Sequence, residues 1–124
     1  MTVASLARWS LRAALSLVFL VAGATKFVSP GWAVRFTAWG YPGWCRWVIG
    51  TLEVVAAIML LVSRTQKLAI LSLLVVMTGA AATHLLNGEA PRAVVNVVIA
   101  ALLIVLQRTR GAGRPRVDRL DGAD

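Results

Sequence analysis

Four side chains could do chemistry in surroundings that otherwise hold almost none. Lys26, Glu53, His84 and Asn96 each lie in or at the end of a long apolar run. A cation, a carboxyl, an imidazole and an amide can exchange protons and hydrogen-bond a carbonyl or a head group. An ionisable side chain at mid-bilayer costs about 2.5–3.5 kcal/mol on insertion scales, so each one demands a partner, water or a function. Each also has a plainer account. Lys26 can snorkel outward on its long stem. Lys26 and Glu53 can form a purely structural pair. His84 can be a hydrogen-bonded interfacial histidine, and Asn96 can tie helices together, worth about 0.6–2 kcal/mol.

The elements that must position these groups follow from composition. Of 124 residues, 59% are hydrophobic and 15% charged, against about 45–50% and about 25% in ordinary soluble domains. A chain this short cannot bury so much apolar surface in one water-soluble core, so the reading is an all-α integral membrane protein. The net charge of +8 does not point to nucleic acid, because the 13 Lys and Arg lie between apolar runs and near the C-terminus; no basic face interleaved with aromatic platforms exists. With one cysteine, Cys45, and one histidine, the chain alone builds no internal disulfide, CxxC pair, cysteine zinc site or bis-histidine haem. No metal or haem is expected.

Four segments approach the about 20 apolar residues that a spanning helix needs: about 5–27, 44–62, 68–86 and 91–107. They predict a four-helix membrane bundle as one domain, 1–107, followed by a disordered basic tail, 108–124. Arg8 and Arg12 ahead of the first run, with Ala22-Gly23-Ala24 after it, also fit a secretory signal; the expectation is a retained helix. Nine Lys and Arg (Arg8, Arg12, Arg64, Lys67, Arg108, Arg110, Arg114, Arg116, Arg119) flank one side and four (Lys26, Arg35, Arg46, Arg92) the other. Both termini are therefore expected in the cytoplasm, and the chain in a plasma (inner) membrane. The excess of Arg over Lys, 11 to 2, hints at a GC-rich bacterial genome.

Between the first two spans, Ser29 and Pro30 fit the cap and first position of a short helix, about 30–39. Trp32, Phe36 and Trp39 share one face, and Gly40 suits the position after the last turn. With Tyr41 and Trp44 they make an interfacial aromatic group, either an anchor or a lid over a site in the bundle. All four polar residues fall in the outer half of the predicted bundle, one per span. Gly23, Gly50 and Gly79 mark small-residue faces for helix packing. Convergence of the four around one axis is a hypothesis of this reading.

These residues also carry a likeness. The run LRAALSLVFLVAGATKF (Leu11–Phe27), Trp39-Gly40 with Pro42, Ile49-Gly50-Thr51-Leu52-Glu53, MTGAAATH (Met77–His84) and Asn96 together resemble the DoxX-like family of small four-span membrane proteins, over about residues 8–107. The resemblance implies a quinone-linked or oxidoreductase-associated membrane subunit, with Lys26, Glu53, His84 and Asn96 as the polar core. It implies membrane lipids and a redox partner protein as partners, and quinone as the cofactor to consider. The chain holds no redox centre of its own, so it is not expected to be catalytic alone. Two rival functions remain: a non-enzymatic adaptor or assembly protein in which the cluster is structural, and a small-molecule transporter. The sequence sets no oligomeric state.

Overall fold

A computed structural model describes residues 2–109. The expected basic tail lies outside the described residues from 110 onward. Five helices follow in order: α1 (Val3–Val28), α2 (Pro30–Ala38), α3 (Cys45–Leu60), α4 (Gln66–Leu86) and α5 (Ala90–Thr109). Among the described residues there is no strand. Three helices, α1, α4 and α5, are long and apolar enough to cross a membrane. The segment expected as the second span forms a shorter helix, α3, of 16 residues, about 24 Å long at about 1.5 Å per residue. Helix α5 runs through Thr109, two residues beyond the expected end.

Helix α1 packs chiefly on α3, and α4 on α5. The α1–α3 pair is antiparallel: Arg12 meets Leu60, Ser16 meets Ala57, and Gly23 meets Gly50. Side chains from four helices close the core, with Leu15, Phe19, Leu60, Ile70, Leu73, Leu103 and Leu106 almost fully buried. The opposite faces carry exposed Val, Leu and Ile on every long helix, such as Leu17, Val55, Val75 and Val97. In water such a surface would be a liability, whereas hydrocarbon solvates it at no cost.

Two helix ends explain how the loops are aimed. Helix α2 stops at Trp39, and Gly40 follows with φ 86°. The Gly40 N–H bonds Thr37 O (3.0 Å) and the Tyr41 N–H bonds Phe36 O (3.0 Å), the paired bonds of a Schellman ending. That ending lays the Tyr41 ring on Phe36, centroids 5.9 Å apart. Helix α4 ends the same way. Gly88 has φ 72°, its N–H bonds Leu85 O (3.3 Å), and the Glu89 N–H bonds His84 O (2.7 Å). The side chains of Glu89 and His84 are thereby brought face to face. At its start α2 departs from expectation, because the Ser29 side chain makes no capping hydrogen bond. Proline at the first position has no N–H to satisfy, which leaves the cap less to do.

Candidate functional site

The centre of the site is made by a close crossing of α1 and α3. A Cβ on Gly23 would lie 2.7 Å from Gly50 O and 2.8 Å from Val54 Cγ2. One on Gly50 would lie 3.0 Å from Gly23 O. Only hydrogen fits at both positions, so the backbones touch there. Lys26 and Glu53 each follow their glycine by three residues. Helical side chains lean toward the helix N-terminus; in an antiparallel pair the two therefore lean toward each other. Lys26 Nζ reaches Glu53 Oε1 at 2.8 Å, with both side chains buried. The ammonium also donates to Ala22 O (3.3 Å) and lies 4.3 Å from the Trp32 ring centroid, a cation–π arrangement.

A cavity of about 420 Å³ opens beside this pair. Most of its wall is apolar, including Phe19, Ile49, Leu52, Val76, Met77 and Ile99. Lys26, Glu53, His84 and Asn96 all line it. Lys26 and Glu53 are in contact, while His84 and Asn96 stand elsewhere on the wall. The size falls within the usual range for small-molecule sites, about 300–1,000 Å³, and so does the pattern of apolar wall with few polar groups.

Helix α2 and its following turn form one side of the cavity through Trp32, Phe36, Trp39 and Tyr41. These four of the five expected interfacial aromatics therefore serve the cavity, and Phe36 is buried. Trp44 is 61% exposed and does not line it. A polar seam fastens the turn to the far end of α4. The Trp39 indole N–H donates to Glu89 Oε2 at 3.1 Å, and the same oxygen lies 2.9 Å from His84 Nδ1. Trp39 and His84 meet edge to face, with centroids 5.3 Å apart. Thr83 Oγ1 donates to Gly79 O (2.9 Å), so in the 2.6 Å contact Tyr41 is the donor and Thr83 accepts. Hydrogen bonding to His84, reinforced by Trp39, holds the Glu89 carboxyl below its ordinary range, against the opposing effect of partial burial.

Gly79 departs from the packing expectation. Nothing lies within 4 Å of a Cβ built there, and the residue contributes to the cavity wall instead. Glu89 escaped the sequence reading because it falls in a loop. The Asn-Gly after His84-Leu-Leu was the signal, since a glycine ending sets the second residue beyond the cap against the last turn. Arg12 was counted as a flanking charge, yet it is 1% exposed. Its Nε donates to Leu60 O and its guanidinium lies 4.4 Å from the Trp9 ring centroid. Ser16 beside it donates to Ala57 O at 2.7 Å. Among the described residues no group of three His, Cys, Asp or Glu could hold a metal ion.

The chain matches the family model described as the DoxX-like family over residues 10–106. That match runs from Ser10 in α1 to Leu106 in α5 and includes all of the cavity wall. No curated protein matches the chain, and no solved structure does.

Proposed function

The chain belongs to the DoxX-like family and is a membrane protein; on that premise we propose that it is a four-span, quinone- or lipid-associated subunit of a membrane oxidoreductase system. In this reading α3 also crosses the membrane, as the second of four spans in chain order. It lies antiparallel along α1 from Arg12 to Gly23, and Trp44 and Trp47, both at least half exposed, sit at its start as interfacial anchors. Both termini face the cytoplasm of a bacterial inner membrane, as the basic flanks imply. Residues 1–107 are the membrane domain. Helix α2 lies in the outer interface as a lid.

The observation that carries this reading is the cavity itself: an apolar chamber with a buried Lys26–Glu53 pair, His84 and Asn96 on its wall. A ring or head group with an apolar tail fits such a chamber, the tail leaving toward lipid. In this reading a partner protein delivers or removes the electrons. The test is mass spectrometry of what remains bound when tagged protein is extracted in native-lipid polymer discs. Near-stoichiometric quinone, or a retained redox subunit, supports the reading. Glu53→Gln is then expected to weaken quinone binding, and unchanged binding by a folded variant counts against it.

A second reading rests on the 2.8 Å contact that pairs Lys26 and Glu53 internally. There the pair is a structural lock, and the protein is an adaptor acting through its outer turn and lipid faces. A Lys26→Met/Glu53→Gln protein that folds and retains full function would favour the adaptor. A non-redox protein partner retained in discs with only bulk lipid would point the same way.

A further inference from the structure

The chamber is closed on several sides. Toward the outer surface, α2 and its turn are fastened at both ends. The Trp32 indole N–H donates to Thr25 Oγ1 on α1 (3.1 Å), while Trp39 and Tyr41 are bonded to Glu89 and Thr83 at the end of α4. At the far end Leu60, Leu73 and Leu103 make a buried floor. Along one flank α1 and α3 touch at Gly23 and Gly50. The flank between α3 and α4 differs. Near the floor Leu60, Ala69, Ile70 and Leu73 of these helices are buried in one cluster. Nearer the lid their wall residues Leu52 and Val75 are 44% and 74% exposed, and Gly79 is exposed too. Val75 lies close to the middle of α4, with Gly79 about 6 Å nearer its outer end at about 1.5 Å per residue. This opening therefore faces hydrocarbon, not head groups.

Gly79 has no packing reason to be glycine, because nothing lies within 4 Å of a Cβ built there. Its neighbours one turn away, Val75, Val76 and Thr83, all line the chamber, and residues three and four apart share a helix face. A side chain at 79 would therefore stand in the opening. Glycine inside a helix is disfavoured relative to alanine, and what it provides here is clear space. Resting on the quinone- or lipid-binding reading above, we propose that the chamber opens sideways into the bilayer through a slot between α3 and α4, bordered by Leu52, Val75 and Gly79, and that one hydrocarbon tail of a membrane amphiphile occupies the slot while its head sits in the chamber. The aliphatic rim receives such a tail as readily as lipid does. A polar solute would have to cross hydrocarbon to reach the same opening. The ligand is thus drawn from the membrane and not from water, and Gly79 leaves room for its tail.

The experiment places full-length protein in lipid discs with one of two photoreactive probes. One is a phosphatidylglycerol with a diazirine in its acyl chain near the ester; the other is an isoprenoid benzoquinone with a diazirine in its tail near the ring. After illumination, mass spectrometry maps adducts on the buried wall residues Phe19 and Met77, and on Val97 and Val105, which are exposed and do not line the chamber. At least one probe should label the buried wall, and the probe that does so names the source of the tail. Gly79→Phe should lower that labelling by about fivefold or more, the lower end of what overfilling a packed space does to an equilibrium, with Val97 and Val105 labelled as before. Val75→Trp alters an exposed position on the same rim and should act alike, so the test does not depend on Gly79→Phe folding. Val18→Trp probes the α1 edge, where Val18 is also exposed and lines the chamber. Buried-wall labelling undiminished in either folded slot variant, including a loss confined to Val18→Trp, overturns the slot and leaves the binding reading standing. Labelling of Val97 and Val105 with none on the buried wall, by both probes, overturns both.

Discussion

Replacing Gly23 by alanine tests whether the α1–α3 crossing, and with it the Lys26–Glu53 pair, depends on backbone contact. The added Cβ would sit 2.7 Å from Gly50 O, about 0.7 Å inside the 3.4 Å at which ordinary van der Waals contact begins. The obstructing atom is a backbone carbonyl within a helix, so no rotamer change relieves the clash. The helices must separate, and overpacking of this kind costs about 1–3 kcal/mol. Alanine is intrinsically the better helix former by about 0.8–1.0 kcal/mol, which offsets part of that cost. Gly79→Ala is the matched control, because a Cβ there has nothing within 4 Å and retains the propensity gain. Unfolding free energies in mixed micelles should therefore place Gly23→Ala about 1–3 kcal/mol below Gly79→Ala. Equal stability of the two variants would refute the claim that the glycines set the crossing.

Other consequences can be measured in the same preparations. Glu53→Gln alone leaves a buried ammonium without its carboxylate and should cost about 3–5 kcal/mol, much of it recovered when Lys26→Met is added; equal stability of single and double variants would contradict the pairing. The lowered Glu89 carboxyl makes its contacts with His84 and Trp39 pH-dependent. Because the folded value lies below the unfolded one, the stabilisation is complete above the ordinary carboxylate range, below about pH 4.5 it declines, and it is lost as pH falls through the folded value. The indole N–H resonance of Trp39 should report that loss, and Glu89→Gln should remove the titration. Cys45 is the only cysteine in the sequence and lines the cavity, so a bound ligand should slow its modification by an apolar maleimide several-fold.

The helical class and the four polar residues were legible in the sequence for different reasons. Long apolar runs admit few structures but spanning helices, and a charge inside such a run is conspicuous because hydrocarbon penalises it. The relation of Lys26 to Glu53 was only suggested by depth, since azimuth depends on the Gly23–Gly50 contact between helices distant in sequence. The second apolar run misled about length: Trp44, Leu61 and Val62 are apolar yet fall outside the α3 helix, because hydropathy does not register where hydrogen bonding stops. Arg12 was hidden by the opposite effect. A charge near a span end reads as a topology marker, but here helix carbonyl Leu60 O accepts from it and Trp9 covers it, interactions that no local pattern announces. Glu89 has a local signal, the Asn-Gly that ends α4, because a glycine ending sets the next residue against the last helical turn.

The arrangement below the cavity bears on whether ligand could pass through the bundle. Between the chamber and the N-terminal end of α1 stand Leu15, Leu60, Ile70, Leu73, Leu103 and Leu106, each at most 3% exposed. Within that layer Ser16 bonds Ala57 O, and beyond it Arg12 bonds Leu60 O, tying that end of the pair shut. A transport path would have to breach this packed layer, whereas a binding site needs it only as a floor. Leu73→Ala separates the two roles. Leu73 is fully buried and does not line the cavity, so truncation should cost about 2–5 kcal/mol of stability, as buried Leu→Ala changes do. Ligand protection of Cys45 should nevertheless persist in the folded fraction, because the chamber wall is unchanged. Loss of that protection at full folding would mean that the packed layer is part of the site, and the division into chamber and floor would fail.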